Sequence, residues 1–321
     1  MKKNYLVIGC GQIGTRHLQG ILKLKHPKNV YGVDPSESSI SIAHERCLEI
    51  NSDQQVTFLS GLEALDQKYF DLAIVATSSY PRLQVIENLT DKVKVKAILL
   101  EKVLFPKMAE YQKALDRLER AHIKTWVNCS KRYMPIYQKI KSEHQTFGKM
   151  SLHINGGGIG MSCNVIHYID LVHYFTGTSL CKASLLEDAS IFESKRQGYL
   201  EIEGTFVGEF EDGSHLMLTS KRNFDPWMIT LTTEKFQYLL QEFQKLAIQR
   251  SVGTASWKKI EANYGQQSEL TTYIVDAIVM TGNSELVTLK ESFMDNKVML
   301  ECFESFFFKN GIDVRKGCPI T

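Results

Sequence analysis

Three polar residues interrupt the apolar stretch "NVIHYIDLVHYFTG" at 164–177: His167, Asp170 and His173. Histidine and aspartate so spaced can hold a metal, work as a proton shuttle with its orienting carboxylate, or be satisfied polar groups in a core. Apolar Val165, Ile166, Ile169, Leu171, Val172 and Phe175 predict a mostly buried helix, on which His167 and Asp170 are i and i+3 and share a face. His173 lies six residues beyond His167, about 240° round at 3.6 residues per turn, and misses that face. The pattern is poor for a mononuclear metal, and no metal is expected. His167 is the candidate proton shuttle, Asp170 orients it or touches substrate, and His173 is structural.

A second cluster, "GCGQIG" at 9–14, follows an apolar run and opens a helical pattern. Gly9 permits a tight turn, Gly11 lets a backbone approach a pyrophosphate, and Gly14 lets the helix pack close. The first-turn N–H groups, those of Gln12 and Ile13 among them, are free for phosphate. Asp34 stands 20 residues after Gly14, at the end of the next apolar run. Its carboxylate accepts from ribose hydroxyls and repels a 2′-phosphate, since two like charges 4 Å apart cost about 4 kcal/mol at an effective dielectric near 20. The "PSESS" that follows holds no arginine to clamp such a phosphate, so NAD is expected over NADP. A methyltransferase would carry an acid just before the first glycine, where this chain has Val7 and Ile8. Thr77 and Ser78, and Glu101 and Lys102, end two later apolar runs and are expected at the cofactor.

The elements that must position these residues follow from periodicity. Apolar runs at 5–10, 29–34, 56–60, 72–77 and 96–102 alternate with helical patterns near 12–24, 37–50, 81–91 and 107–122. Alternation of this kind predicts a doubly wound parallel sheet over 1–125, with "TWVNCSKRYMP" (125–135) a last strand running out of it. Residues 126–321 are expected to form a second domain, and after about residue 148 the texture changes. Longer alternating segments separated by turns predict an α+β domain, its mostly antiparallel open sheet packed on helices at 164–177, 266–282 and 289–308. In 200–210, Leu200, Ile202, Phe206 and Phe210 share one face, and Glu201, Glu203 and Glu209 are expected to point the other way.

Composition narrows the function class. With 321 residues, 43% hydrophobic and 23% charged, and a net charge of +2 spread among acids, the chain is an ordinary globular protein with no basic footprint for nucleic acid or an anionic membrane. No apolar run reaches the roughly 20 residues of a membrane span, and the run before Gly9 is too short for a signal peptide. Seven scattered cysteines without CxxC fit reduced thiols, and a cytoplasmic location is expected.

"GCGQIGTRHLQG", "EKVLFP" (101–106), "VNCSKRYMP" (127–135) and "SCNVIHYIDLVHYFTG", in this order, resemble the Gfo/Idh/MocA family of glucose–fructose oxidoreductase and inositol dehydrogenase. The resemblance implies a nucleotide domain followed by an α/β domain whose open sheet builds homo-oligomers, dimers or tetramers. It implies that Lys102 is the active-site lysine, with Val103 where the family has proline, and that Lys131, Arg132 and Tyr133 match its "RRF" segment. The family's Asp, His and Asp fall on Cys163, His167 and Asp170, so a carboxylate that often binds substrate hydroxyls is lost at Cys163, beside Asn164. Lys102 and His167 are then the catalytic candidates, with Asp170, Arg132 and Asn164 at the substrate. A lysine beside an oxidised nicotinamide is expected to have a lowered pKa. Gly156–Gly158 and Gly160 are expected to clear side chains from cofactor or substrate; Lys221, Arg222 and Trp227 are weaker pocket candidates. The activity implied is NAD-dependent oxidation or reduction of a sugar or sugar derivative, including activated or acidic sugars. A redox-neutral epimerase and a non-catalytic regulator are the alternatives.

Overall fold

Apolar runs alternating with helices form one parallel sheet in the N-terminal part of the chain, in a computed structural model that describes residues 2–144 and 147–321. Its strands are β1 (Lys3–Ile8), β2 (Lys28–Val33), β3 (Val56–Leu59), β4 (Leu72–Val75), β5 (Ala97–Leu100) and β6 (Lys124–Val127). Their order is β3-β2-β1-β4-β5-β6, every pair parallel. The chain reverses direction across the sheet at β1, so the carboxyl ends of β1 and β4 flank the crevice where such sheets take ligands. Leu72, Ala73, Ile74 and Val75 are wholly buried, as a sheet covered on both faces requires.

Helices α1 (Gln12–Leu22), α2 (Glu37–Leu48), α3 (Arg82–Lys92) and α4 (Met108–Arg120) are the crossovers. Local chemistry starts and stops them. The Ser36 hydroxyl accepts from Ser39 N–H at 3.2 Å, with Glu37 in the first turn and Arg46 in the last of α2, each complementing the helix dipole.

The boundary expected at 125/126 is not where the chain divides. The first unit continues to Tyr133 and takes back Gly265–Glu291, and the second comprises Met134–Tyr264 and Ser292–Thr321. Segment 265–291 belongs to the first unit because α7 (Gln267–Thr281) lies on α1 at glycine distance. A Cβ on Gly20 would stand 2.6 Å from the Ser268 carbonyl, and Thr272 Oγ1 donates to Gly20 O at 2.9 Å. Beyond α7 the chain runs along the open edge of β6, where Val127 N–H donates to Val287 O and Leu289 N–H to Thr125 O, each at 2.9 Å. The strand expected to run out over 125–135 stops at Val127; a 3₁₀ turn, Ser130–Tyr133, follows, then α5 (Pro135–Ser142), with proline in its first turn where no N–H is needed.

The second unit holds a nine-stranded sheet: β7 (Met150–Gly156), β8 (Leu180–Leu185), β9 (Ser190–Glu193), β10 (Leu200–Phe210), β11 (His215–Ser220), β12 (Met228–Thr233), β13 (Phe236–Gln241), β14 (Leu246–Ser251) and β15 (Lys258–Lys259). The order is β8-β10-β11-β7-β12-β13-β14-β15, with β9 also on β10; only β7 and β11 pair in parallel. Helices α6 (Met161–Thr176) and α8 (Phe293–Lys309) pack on this sheet and on each other. Alternation in β10 holds for Ile202, Phe206 and Phe210, which are buried, and for exposed Glu209. It fails at Glu201, which is buried at 8% exposure. The strand turns at Gly204 (φ +142°), where its partner changes from β8 to β9, and a Cβ there would lie 2.5 Å from Ala189 Cα.

Candidate functional site

The turn after β1 is built around its glycines. Gly9 has φ +92°, and a Cβ on Gly14 would lie 1.7 Å from the Gly9 carbonyl oxygen, so α1 begins in direct contact with the turn. Gly11 is different: its Cβ would meet nothing within 4 Å. It is the N-cap of α1, without a side-chain cap and with no acid in the first turn. Gly11 and Gln12 are exposed and Ile13 half-buried, so open space lies in front of a helix N-terminus whose donors face outward.

Asp34 is pinned beside it. Cys10 N–H donates to Oδ2 and Ser36 N–H to Oδ1, each at 2.8 Å. Each oxygen keeps a further lone pair for a hydroxyl donor. These residues fit a dinucleotide: Gly9, Gly11, Gln12, Ile13 and Gly14 for the pyrophosphate and Asp34 for a ribose. Burial, reinforced by the Asp34 charge, pushes the Cys10 thiol up to about 12, so the cysteine inside the motif is inert.

Two strand exits complete this edge of the first unit. Thr77 and Ser78 follow β4, half-buried, and Glu101 and half-buried Lys102 follow β5. Arg82, at 1% exposure, ties the exits together, donating to the carbonyls of Thr77, Val103 and Leu104, the last at 2.7 Å. Glu101 is itself a buried hub. Its Oε1 pairs with His17 Nε2 at 2.7 Å and accepts from Asn128 Nδ2, while His17 Nδ1 meets Thr271 Oγ1 at 2.9 Å. Burial alone would raise the Glu101 carboxyl; His17, Asn128 and the Lys102 charge outweigh it and hold the group below its ordinary range. Arg132 is buried and spends one N–H on Glu285 O at 3.3 Å, and Tyr133 hydroxyl meets Ser284 Oγ at 2.9 Å, so this segment secures the returning 265–291 chain.

In the second unit, α6 carries Cys163, His167 and Asp170 at i, i+4 and i+7, one row along the helix. Cys163 and His167 are half-buried and Asp170 is 2% exposed. Asn164 Nδ2 donates to Ile159 O at 2.6 Å. His173 stands off this row, its Nδ1 2.7 Å from Asp295 Oδ2, while Leu180 N–H donates to Asp295 Oδ1 at 2.7 Å. His173 therefore joins α6 to α8 and β8. Among the described residues no group of three or more His, Cys, Asp or Glu is placed to hold a metal ion. The glycines before α6 answer to the backbone: a Cβ on Gly156 would lie 2.1 Å from Trp227 Cα and one on Gly157 2.0 Å from Phe224 O, and Gly158 and Gly160 have φ +67° and +68°. Lys221 and Arg222 pair with Asp188 and Glu203 at 2.9 and 2.8 Å.

Sequence reasoning did not pick out Arg82, His17, Asn128 and Thr271 as residues that hold this site. His17 alone left a signal, an ionisable residue on the buried face of α1.

Residues 3–129 match the sequence model of an oxidoreductase family with an NAD-binding Rossmann fold, Gfo/Idh/MocA. No curated protein sequence matches the chain. Among solved structures, the UDP-N-acetylglucosamine 3-dehydrogenase of Acidithiobacillus ferrooxidans is similar over 94% of this chain and 97% of its own, at 14% identity and a TM-score of 0.72. An oxidoreductase from Agrobacterium radiobacter, in complex with NAD+, L-tartaric acid and magnesium, covers 95% and 96% at 14% identity and 0.72. The transcriptional regulator Gal80p from Kluyveromyces lactis covers 96% and 90% at 14% and 0.71. At such identities these likenesses speak to the fold, and enzymes and a regulator share it. Among the described residues no helix is long and apolar enough to cross a membrane. Residues 3–129 carry the NAD-binding Rossmann domain of the Gfo/Idh/MocA oxidoreductase family.

Proposed function

We propose that the protein is an NAD-dependent oxidoreductase acting on a hydroxyl or keto group of a sugar or sugar derivative, a nucleotide-activated or acidic sugar included. The observation that carries this reading is the open, uncapped N-terminus of α1 at Gly11 beside a carboxylate fixed at Asp34. Because both Asp34 oxygens are held by backbone N–H groups, the carboxylate cannot swing away from a 2′-phosphate, which favours NAD over NADP.

NAD supplies the hydride acceptor when bound. The chain's part is to hold the substrate and handle the hydroxyl proton that leaves as the carbonyl forms. Lys102 at the β5 exit and His167 on α6 take that role, with Asp170 and Asn164 at the substrate. Arg132, buried and engaged with Glu285, is the weakest of the substrate contacts. The redox-neutral variant uses the same groups. A regulator of the same fold has no need of them, and detectable turnover would eliminate it. The setting we favour is cytoplasmic, as a homo-oligomer covering the sheet face of Ser151, His153 and Thr230; a monomer by light scattering would overturn that assembly.

The test is a thermal-shift screen of sugar nucleotides and sugar acids with NADH, with UDP-N-acetylglucosamine as first probe, followed by turnover of the hits with NAD+. Lys102→Ala and His167→Ala should each lower turnover about 10²–10⁴-fold with NADH affinity unchanged. Full activity in both variants would remove the proton-handling assignment, and tighter NADP(H) than NAD(H) binding would remove the cofactor preference.

A further inference from the structure

The turn 242–245, which joins β13 to β14, presents an aromatic ring and a cation to solvent. Phe243 is 62% exposed, and its ring centroid stands 4.4 Å from that of half-buried Trp227, at an interplanar angle of 74°. Edge-to-face packing of this kind fixes a ring and leaves a face of it open. Lys245 is exposed, and its ammonium meets no partner among the described residues. It holds φ +49°, a left-handed conformation that a non-glycine residue adopts only under strain. Tyr137 hydroxyl donates to Glu242 Oε1 at 2.8 Å and ties the base of the turn to α5.

Strand register puts this turn at a definite end of the sheet. Gln241 pairs with Leu246, Leu240 with Ile229 and Met228 with Asn155, so the turn, the start of β12 and the end of β7 lie together. From there β7 runs through 156–160 into α6, whose first two turns hold Cys163 and His167. Trp227 is packed on that path. A Cβ on Gly156 would lie 2.1 Å from its Cα, and the hydroxyl of Tyr168, the residue after His167, lies near its indole.

We propose that this turn seats the nucleoside diphosphate half of an activated sugar, the nucleobase stacking on Phe243 with Trp227 behind it and Lys245 meeting a phosphate. The inference rests on the reading of the protein as a sugar oxidoreductase and narrows its substrate to the nucleotide-activated class. An exposed phenyl ring is unfavourable in water, and any nucleobase can cover it with a π face. The ammonium two residues on supplies the charge a diphosphate calls for, while the carboxylate of Glu242 is turned to Tyr137.

UDP and ADP, titrated by calorimetry into NADH-saturated protein so that the dinucleotide site is filled, should each bind. Phe243→Ala should weaken both about 5–100-fold, the loss of one base–aromatic stack, and Phe243→Tyr should stay within about twofold. Lys245→Gln should weaken both about two- to fivefold at low salt and leave uridine binding unchanged. All three substitutions are on the surface, and the unfolding temperature should hold.

Equal affinity in Phe243→Ala, or no binding of either nucleotide to the unaltered chain, overturns the proposal. So does a fall in mass by light scattering in Phe243→Ala with nucleotide affinity kept, which would make the rings a seat for a second copy of the chain. The two readings fail separately. Turnover of a free sugar or sugar acid without nucleotide binding removes the seat and keeps the oxidoreductase. Nucleotide binding through Phe243 with no turnover of any sugar nucleotide removes the oxidoreductase and keeps the seat.

Discussion

The two candidate regions do their work with different parts of the chain. Around β1 and α1 the groups that would meet a ligand are the backbone N–H groups beyond Gly11 and one carboxylate, Asp34, held in place by the amides of Cys10 and Ser36. Along α6 they are side chains, Cys163, His167 and Asp170 in one row, and the turn that opens the helix is capped from a distant strand, where Glu201 accepts from Ser162 N–H. Such a site is written in local spacing, because glycines at fixed intervals and one acid at the end of the next strand are what it requires. A side-chain site depends on which distant elements pack together, and local spacing does not carry that.

The comparison breaks first at Gly14. Its Cβ would lie 1.7 Å from Gly9 O, backbone that has nowhere to move while α1 stays packed. Gly14→Ala should cost about 3 kcal/mol of stability and abolish NADH binding, read by urea unfolding and NADH fluorescence. Retained binding at full stability would mean that the turn, and not glycine, makes the cradle.

Next comes the buried pair that no spacing announced. His17→Ala takes a partner from the buried Glu101 carboxylate, and should cost about 3 kcal/mol at pH 7. The Glu101 carboxyl is held below its ordinary range in the folded chain, so its contribution is present above the unfolded carboxyl value and is lost as pH falls through the folded one. Stability of the unaltered chain and of His17→Ala should therefore converge on acidification below about pH 4. A gap that stays constant with pH would show that His17 acts by packing alone.

What was legible follows the same division. β1 to β5, α1 to α4 and the Gly9–Asp34 set could be read because parallel strands are short apolar runs and the cradle is local. Edge strands β8 and β9 escaped, since exposed Cys181, Lys182 and Glu193 break their apolar pattern. The return of 265–291 to the first unit escaped because it rests on Gly20 meeting Ser268, a contact across nearly the whole sequence. Glu201 departs from the alternation because its carboxylate accepts from Ser162 N–H at the start of α6, an element distant in sequence that strand periodicity does not register.

Gly11→Ala sharpens the contrast by separating ligand from fold. With φ −63° and open space around its Cβ, alanine fits without strain, so unfolding should be unchanged. The methyl stands where a pyrophosphate would approach, and NADH should bind at least about tenfold more weakly, 1.4 kcal/mol. Unchanged affinity would place the phosphates elsewhere.

The smallest effect is expected at the other histidine of α6. His167 and His173 are six residues apart on one helix, and only the first stands in the row with Cys163 and Asp170. His173 Nδ1 is 2.7 Å from Asp295 Oδ2, and Asp295 at 1% exposure also accepts from Leu180 N–H, so the imidazole ties three elements of the second unit. Removing it leaves one carboxylate oxygen of Asp295 short of a donor while the other keeps its amide. His173→Ala should therefore cost about 1–2 kcal/mol of stability and leave turnover of any identified substrate within about twofold. His173→Asn, which can still donate to Asp295, should recover part of the loss. If His173→Ala abolishes turnover in a folded protein while His167→Ala does not, the catalytic face of α6 has been assigned to the wrong side of the helix.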